Sequence, residues 1–518
     1  MDDRFQAALK LLPDYLGQHV MLSAAALLLG LAVSAPLVLL ARRSARIRWP
    51  ILAFVSVVQT VPSLALLALF YPLLLALSSL SQKTLGHGFA ALGFLPSLLA
   101  LTLYSMLPIV RNGVTGLLNI DPAVMEAARG VGMTPRQSLF RVELPLAMPM
   151  LMAGIRTSAV WVIGTATLST PVGQVSLGNY IFSGLQIENW VSVLFGCLSA
   201  VALALIADQL LALVENGVAT RRPRRVWLGL VLLVAGVAAA VAPSISSTKS
   251  VYVIGAKSFS EQYILSELMA ERVVRAGSTA TQRVGLGSVI AFKALANNEI
   301  DAYVDYSGTV WANVMGRTDS PPRAQMLEEI KRSLRETYGV TLLGALGFEN
   351  AYALALRRDR ATALGVRTID DLARHSGELR LGTDFEFLAR PEWAALRDRY
   401  GLGFREERQY QSTFMYRAIA NGEVDVISAF SSDGRIAAYD LVVLEDPKQV
   451  ILPYDAIVLL SPRRAGDATL RRALAPLLGA LPIELMREAN QMVDRDDNKQ
   501  SPAQAAQWLE RKAGLDQP

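Results

Sequence analysis

The chain is poor in the residues that metal, redox and hydrolytic chemistry require. Among its 518 residues there is one cysteine, Cys197, and three histidines, His19, His87 and His375, far apart along the sequence. A single cysteine excludes an intramolecular disulfide, and histidines so scattered form no metal-ligand spacing. No Gly-x-x-x-x-Gly-Lys-Ser/Thr stretch occurs, so the phosphate cradle of an ATPase is not in this chain. No Ser/His/Asp, Cys/His or metal-binding set can be assembled in the second half, which leaves an enzyme anchored by a helical bundle without support. Charge is scarce in the first 248 residues, which hold 16 Lys/Arg and 9 Asp/Glu, against 34 and 36 in the remainder. The positive excess therefore belongs to loops between apolar runs and does not argue for nucleic-acid binding.

Crossing a bilayer as helix takes roughly 20 apolar residues. Six windows qualify, at 19–41, 51–77, 89–110, 145–170, 190–214 and 226–241. The first is too long for the core of a signal peptide and reads as a retained span. Arginines cluster after the first span (Arg42, Arg43, Arg46, Arg48), the third (Arg111, Arg129, Arg136, Arg141) and the fifth (Arg221, Arg222, Arg224, Arg225). That places these three loops in the cytoplasm, and the amino terminus and everything after the sixth span outside. Gln59, Pro62 and Ser63 interrupt the second span, as a lining of a translocation path or as a kink packed on a neighbour. Residues 173–189 read as an external loop rich in Gly and Ser. The domain plan is a permease over 1–220, a sixth span and tether over 221–248, and a soluble domain over 249–518.

The stretch from Asp121 to Pro145 is charged and breakable. Asp121 with Pro122, and Thr134 with Pro135, are paired helix-start signals, and Gly130 and Gly132 interrupt the pattern between them. The spacing predicts two short helices joined by a glycine elbow, with Val124, Ala127, Ala128 and Val131 on one apolar face, a shape suited to a groove on another protein. This stretch resembles the coupling loop of ABC importer permeases through Glu126, Ala127, Ala128, Gly132, Leu144 and Pro145, with Val142 where that pattern has Ile. The resemblance implies a cytoplasmic ABC ATPase partner, itself dimeric, that carries the ATP, with no cofactor in this chain. It also implies a second permease copy to complete the pore.

The soluble half alternates strand and helix. Strands are expected at 251–256, 283–286, 300–306, 352–356, 379–383, 424–430, 441–444 and 456–460, and helices at 261–275, 322–338, 391–400, 413–421 and 467–478. This is the pattern of an α/β domain with mostly parallel sheets. About 270 residues is long for one sheet, and two lobes with a cleft are expected, lobe 1 over 249–355 and 455–518 and lobe 2 over 356–454. Ligands of open α/β sheets lie where strands end, and Lys257, Ser258, Tyr306 to Thr309 and Phe430 to Asp433 lie there. Tyr352 and Tyr454 fall near the crossings between lobes. Aromatic rings from separate segments can enclose a quaternary ammonium, while Lys257 and Arg390 hold a carboxylate.

Several phrases resemble the binding proteins of osmoprotectant importers for glycine betaine, carnitine, choline and related quaternary amines. They are GAKSFSEQYIL from Gly255, DYSGT from Asp305, GFENAYALALR from Gly347, GTDFEFLARPEW from Gly382, the stretch from Ala420 to Asp446, and PYDA from Pro453. The membrane half resembles the matching permeases, as in QTVPSLALLALF from Gln59. The resemblance implies a type II, two-lobed periplasmic-binding-protein-like domain fused to an all-α, six-span permease in a bacterial inner membrane, with the binding domain on the extracytoplasmic face. It places an aromatic cage on Tyr306, Tyr352, Phe430 and Tyr454 and carboxylate partners on Lys257, Thr309 and Arg390, with Ser258 and Gln262 as further candidates. Phe430 stands where that family commonly has tyrosine, which leaves a larger betaine such as ergothioneine open beside the small osmolytes. The rival of another class, a ligand-gated channel with a two-lobed sensor, has the coupling-loop pattern against it.

Overall fold

A computed structural model of the protein describes residues 3–87, 89, 91–187, 189–246, 252–495 and 498–515. The expected start of the first strand at Val251, and the tether residues 247–250, lie outside them. The chain divides into two compact units, one of residues 1–184 and 190–248, the other of 249–518 together with 185–189.

The first unit is helical, and six of its helices are long and apolar enough to cross a membrane. The first helix, α1 (Asp3–Ala41), begins well before the expected His19. Hydropathy finds the apolar stretch, whereas Lys10 and Asp14 continue the same helix without needing lipid. The expected second span is broken into α2 (Ala45–Thr60) and α3 (Ser63–Leu85) at Val61 and Pro62. Pro62 cannot continue the ladder, and the Tyr104 hydroxyl of α4 (Phe94–Leu118) donates to the freed Val61 carbonyl. That packed kink answers one of the two readings of Pro62. Residues 173–189 are not all loop either. A helix covers Gly178–Gln186, and the Asn179 carboxamide ties the segment to Thr170 and the Ser176 backbone.

Between the third and fourth long helices stand α5 (Pro122–Gly130) and α6 (Pro135–Ser138). Asp121 accepts from Ala123 N–H at 2.9 Å, and Thr134 and Gln137 form a reciprocal capping box. Gly132 has φ +76°, the left-handed turn a side chain would resist. Of the expected apolar face only Ala128 is buried, and Val124, Ala127 and Val131 are exposed. A π turn (Leu139–Glu143) then leads into α7 (Leu144–Ala166). Two charged clusters within this unit are paired. Glu143 takes Arg42 and Ser138, and Arg156 meets Asp208 at 2.9 Å and Glu215 at 2.7 Å. At the α4 and α7 contact, a Cβ on Gly154 would lie 2.7 Å from the Pro108 carbonyl oxygen, so only glycine allows that approach.

The second unit has two five-stranded sheets, β2-β1-β3-β10-β4 and β7-β6-β8-β5-β9. The strands are β1 (Tyr252–Lys257), β2 (Ala280–Leu286), β3 (Ala302–Tyr306), β4 (Thr341–Glu349), β5 (Tyr352–Arg357), β6 (Arg380–Thr383), β7 (Glu406–Gln409), β8 (Val426–Phe430), β9 (Leu441–Val443) and β10 (Asp455–Leu460). The two sheets repeat one plan. Three parallel strands are followed by one that arrives from the other lobe and pairs antiparallel on both sides. The sheets are therefore mixed rather than mostly parallel, because a strand entering across the gap runs the opposite way.

The first crossing falls at Asn350 and Ala351, earlier than the expected 355, since Tyr352 to Leu356 pair with β8 of lobe 2. The return runs through 444–454 to β10. The two crossings touch, Asn350 N–H donating to the Tyr454 carbonyl at 3.0 Å. Beside them lobe 2 sits on a lobe 1 helix, Ile483–Asp494, so closely that a Cβ on Gly434 would come 2.3 Å from Gln491 N.

Candidate functional site

A cleft of about 250 Å³ lies between the lobes, the size of a small-molecule site. Its aromatic wall follows from strand register. Tyr352 and Phe430 are directly opposite each other in the β5–β8 pair, with ring centroids 5.0 Å apart. Tyr454, the last residue before β10, presents its ring edge-on to Tyr352 at 5.9 Å. Tyr306 ends β3, lines the same cleft and stacks on Phe259 at 6.2 Å. The four expected cage residues thus line one cavity, and three of the rings are within 6 Å of a neighbour.

The DYSGT phrase accounts for much of the assembly. Asp305 holds Lys257, the Tyr303 hydroxyl and the Tyr306 N–H. Ser307 donates to the Pro453 carbonyl at 2.8 Å and accepts from Asp455 N–H at 2.9 Å, which binds the returning crossing to β3. Gly308 has no side chain because the Tyr454 ring lies where one would be, 2.7 Å from an added Cβ. Thr309 stands 3.5 Å from Arg390 Nη2.

Arg390 sits at the start of the helix Pro391–Tyr400, brought there by Pro391 at the first helical position. It is 6% exposed, and its guanidinium lies 5.0 Å from the Tyr352 ring centre and 5.8 Å from that of Tyr454. Its Nε and Nη1 have no hydrogen-bond partner among the described residues. Buried guanidinium donors are costly to leave idle, and the planar fork suits a carboxylate.

Two expected residues have partners within the fold. Lys257 lines the cleft, and its ammonium is paired with Asp305 in a setting where both side chains are under 5% exposed. Gln262 is outside the cleft lining. It accepts from Lys257 N–H at 3.3 Å and donates to the Tyr306 hydroxyl at 3.0 Å, supporting the cage from behind. Ser258 is half-buried on the cleft wall.

Sequence reasoning missed the carboxylates behind the rings. Glu261, in the first turn of the helix Ser260–Arg275, accepts from the Tyr306 hydroxyl, from Asn350 Nδ2 at 3.2 Å, from Ser432 Oγ and from Asn490 Nδ2 at 2.9 Å. Burial pushes its pKa up, while the hydrogen bonds from Ser432, Tyr306, Asn490 and Asn350 pull it back. Glu392 accepts from the Tyr454 hydroxyl, and its Oε2 has no partner among the described residues. The signal for Glu261 was present, a carboxylate four residues past a strand end in GAKSFSEQYIL. Farther along the cleft Asp494 is pushed up to about 6, chiefly by burial, with the Arg435 guanidinium opposing.

The family model described as the substrate binding domain of ABC-type glycine betaine transport systems matches residues 251–511. The chain belongs to that family. A second model, the inner membrane component of binding-protein-dependent transport systems, matches residues 26–220, so permease and binding domain are fused in one multi-pass membrane chain. The ergothioneine transport permease/ergothioneine binding protein EgtU of Helicobacter pylori (strain G27) is 28% identical over 428 residues, 79% of this chain and 74% of that protein. The glycine betaine/carnitine/choline transport system permease protein OpuCB of Bacillus subtilis (strain 168) is 39% identical over 202 residues, 39% of this chain and 86% of that one. A solved structure of a glycine betaine/carnitine/choline ABC transporter is 28% identical, covers 51% of this chain and 99% of its own, and has a TM-score of 0.45. Transport, and not catalysis, is the business of this family.

The role of Lys257 is testable through stability. Lys257→Met leaves Asp305 buried without its cation and is expected to lower the unfolding free energy of residues 249–518 by about 3 kcal/mol in denaturant titration. An unchanged midpoint would return Lys257 to the status of an idle cleft charge.

Proposed function

We propose that the chain is the membrane and binding subunit of an ATP-driven importer of betaines, zwitterions that join a quaternary ammonium to a carboxylate. One observation carries this reading. Phe430 and Tyr454 each stand within 6 Å of Tyr352, beside a buried Arg390 with two unanswered nitrogens. A quaternary ammonium has no N–H to donate, so ring faces are its partners. Arg390, with Thr309 beside it, serves the carboxylate at the other end. Tyr306 and Ser258 complete the walls. The lobes close on the ligand because it binds the closed form better, turning at the paired crossings.

The arginine clusters after the first, third and fifth spans support an extracytoplasmic binding domain and a cytoplasmic coupling loop. There Glu126, Ala127, Ala128 and the Gly132 elbow, beside exposed Val124 and Val131, receive a separate ATPase dimer. Two copies of the chain flank the pore, and ATP is bound by the ATPase alone.

A second reading, for a larger betaine such as ergothioneine, is favoured by Asn350 and Asn490. Both carboxamide NH2 groups donate to Glu261, which fixes their orientation, and both amide oxygens lack a donor among the described residues on the cleft wall. Glycine betaine has no hydrogen-bond donor to offer them, whereas the hydroxyl of carnitine or the ring N–H groups of ergothioneine do.

Calorimetry on residues 249–518 with glycine betaine, carnitine, choline and ergothioneine tests the cargo. Arg390→Leu is expected to weaken the carboxylate-bearing ligands by about 2 kcal/mol or more and to spare choline. Equal loss for all four would remove Arg390 as the carboxylate partner. Glu126→Arg is expected to abolish ATP-dependent uptake by proteoliposomes that contain the ATPase, while ligand binding is unchanged. Uptake at the original rate would sever the loop from coupling.

A further inference from the structure

Two of the cage tyrosines each donate to a buried carboxylate. The Tyr306 hydroxyl donates to Glu261, and the Tyr454 hydroxyl donates to Glu392. Both carboxylates are nearly inaccessible, at 3% and 2% exposure. Among the described residues no Lys or Arg forms an ion pair with either, since Lys257 is taken by Asp305. A buried carboxylate without a cation is expensive. Glu261 is nonetheless held as an acceptor. Asn350 and Asn490 turn NH2 groups onto it, and Gln262 donates to the Tyr306 oxygen, so that the hydroxyl proton points to Glu261. This arrangement surrounds the carboxylate with dipoles that oppose the upward push of burial on its pKa.

We propose that Glu261 and Glu392 supply the countercharge for the ligand's quaternary ammonium through the tyrosines between them, as positioning residues for cation recognition that do not themselves touch the ligand. An acceptor on a phenol hydroxyl pushes electron density into the ring, and a chain of such bonds polarises each member. The enriched ring face binds a cation more strongly. The carboxylate charge also acts directly across a medium of low dielectric. The arrangement answers a selectivity problem. A carboxylate in the cage itself would bind ammonium groups bearing N–H as well as methylated ones, whereas a charge delivered through a ring face favours the methylated cation. This inference rests on the betaine reading.

The test separates charge from shape. The full chain in lipid nanodiscs is titrated with two matched pairs, glycine betaine against 3,3-dimethylbutanoate and carnitine against 3-hydroxy-5,5-dimethylhexanoate, in which carbon replaces the charged nitrogen. The wild type is expected to prefer the cationic member of at least one pair. Glu261→Gln keeps the size of the side chain while removing its charge and is expected to cut that preference about tenfold, mainly by weakening the cation. Glu392→Gln repeats the measurement at an independent position should Glu261→Gln fail to fold. A preference unchanged in the variants, or equal weakening of both members of a pair, would overturn the inference while leaving the betaine reading intact. A wild type without any preference would overturn both.

Discussion

The binding domain depends on two chain crossings that lie side by side. Asn350 N–H reaches the Tyr454 carbonyl at 3.0 Å, so the strands leaving and re-entering lobe 1 move as one element. Each crossing delivers a ring as it passes, Tyr352 on the outward strand and Tyr454 on the return. Because β5 enters lobe 2 antiparallel to β8, Phe430 must stand opposite Tyr352. The ring cluster is thus a by-product of how the lobes are joined.

Around this hinge the charged groups fall into two sets. Lys257 with Asp305 and Arg435 with Asp433 are joined in buried ion pairs. Arg390, Glu261 and Glu392 stand outside such pairs. The division gives the cleft a cationic group for an anionic end and carboxylates bonded to the tyrosine hydroxyls for a cationic end. That is the charge pattern of a zwitterion in negative, built at low dielectric where it is worth most. In the membrane unit the same pairing is found at the foot of α7, where Glu143 is tied to Arg42 and Ser138. The α5 and α6 pair leads into α7 through the π turn, so a push on its exposed face has a continuous path into the helices.

Much of this was legible beforehand because it is written in local chemistry. Asp121, Pro122, Thr134 and Pro135 announce two helix starts, and a left-handed elbow needs Gly132. Strand ends followed by Lys257, Tyr306 and Phe430 mark a cleft in any open α/β domain. What escaped depends on partners distant in sequence. β7, Glu-Glu-Arg-Gln, is an edge strand with no apolar signal, and β4 contains Gly344 and Gly347, which break the expected pattern. Lys257 read as a ligand contact because nothing local reveals that Asp305 will be buried against it. Gln262 read likewise, although it faces the back of Tyr306. Glu261 passed as an ordinary helix residue, since its importance comes from four donors drawn from β3, the first crossing, lobe 2 and a helix near the carboxyl end.

The most direct measurement is a crystal structure of residues 249–518 with a bound betaine. The account requires the quaternary nitrogen within about 6 Å of the ring centres of Tyr306, Tyr352, Phe430 and Tyr454, and the carboxylate on the guanidinium of Arg390. A ligand bound the other way round, or outside the ring wall, would contradict it.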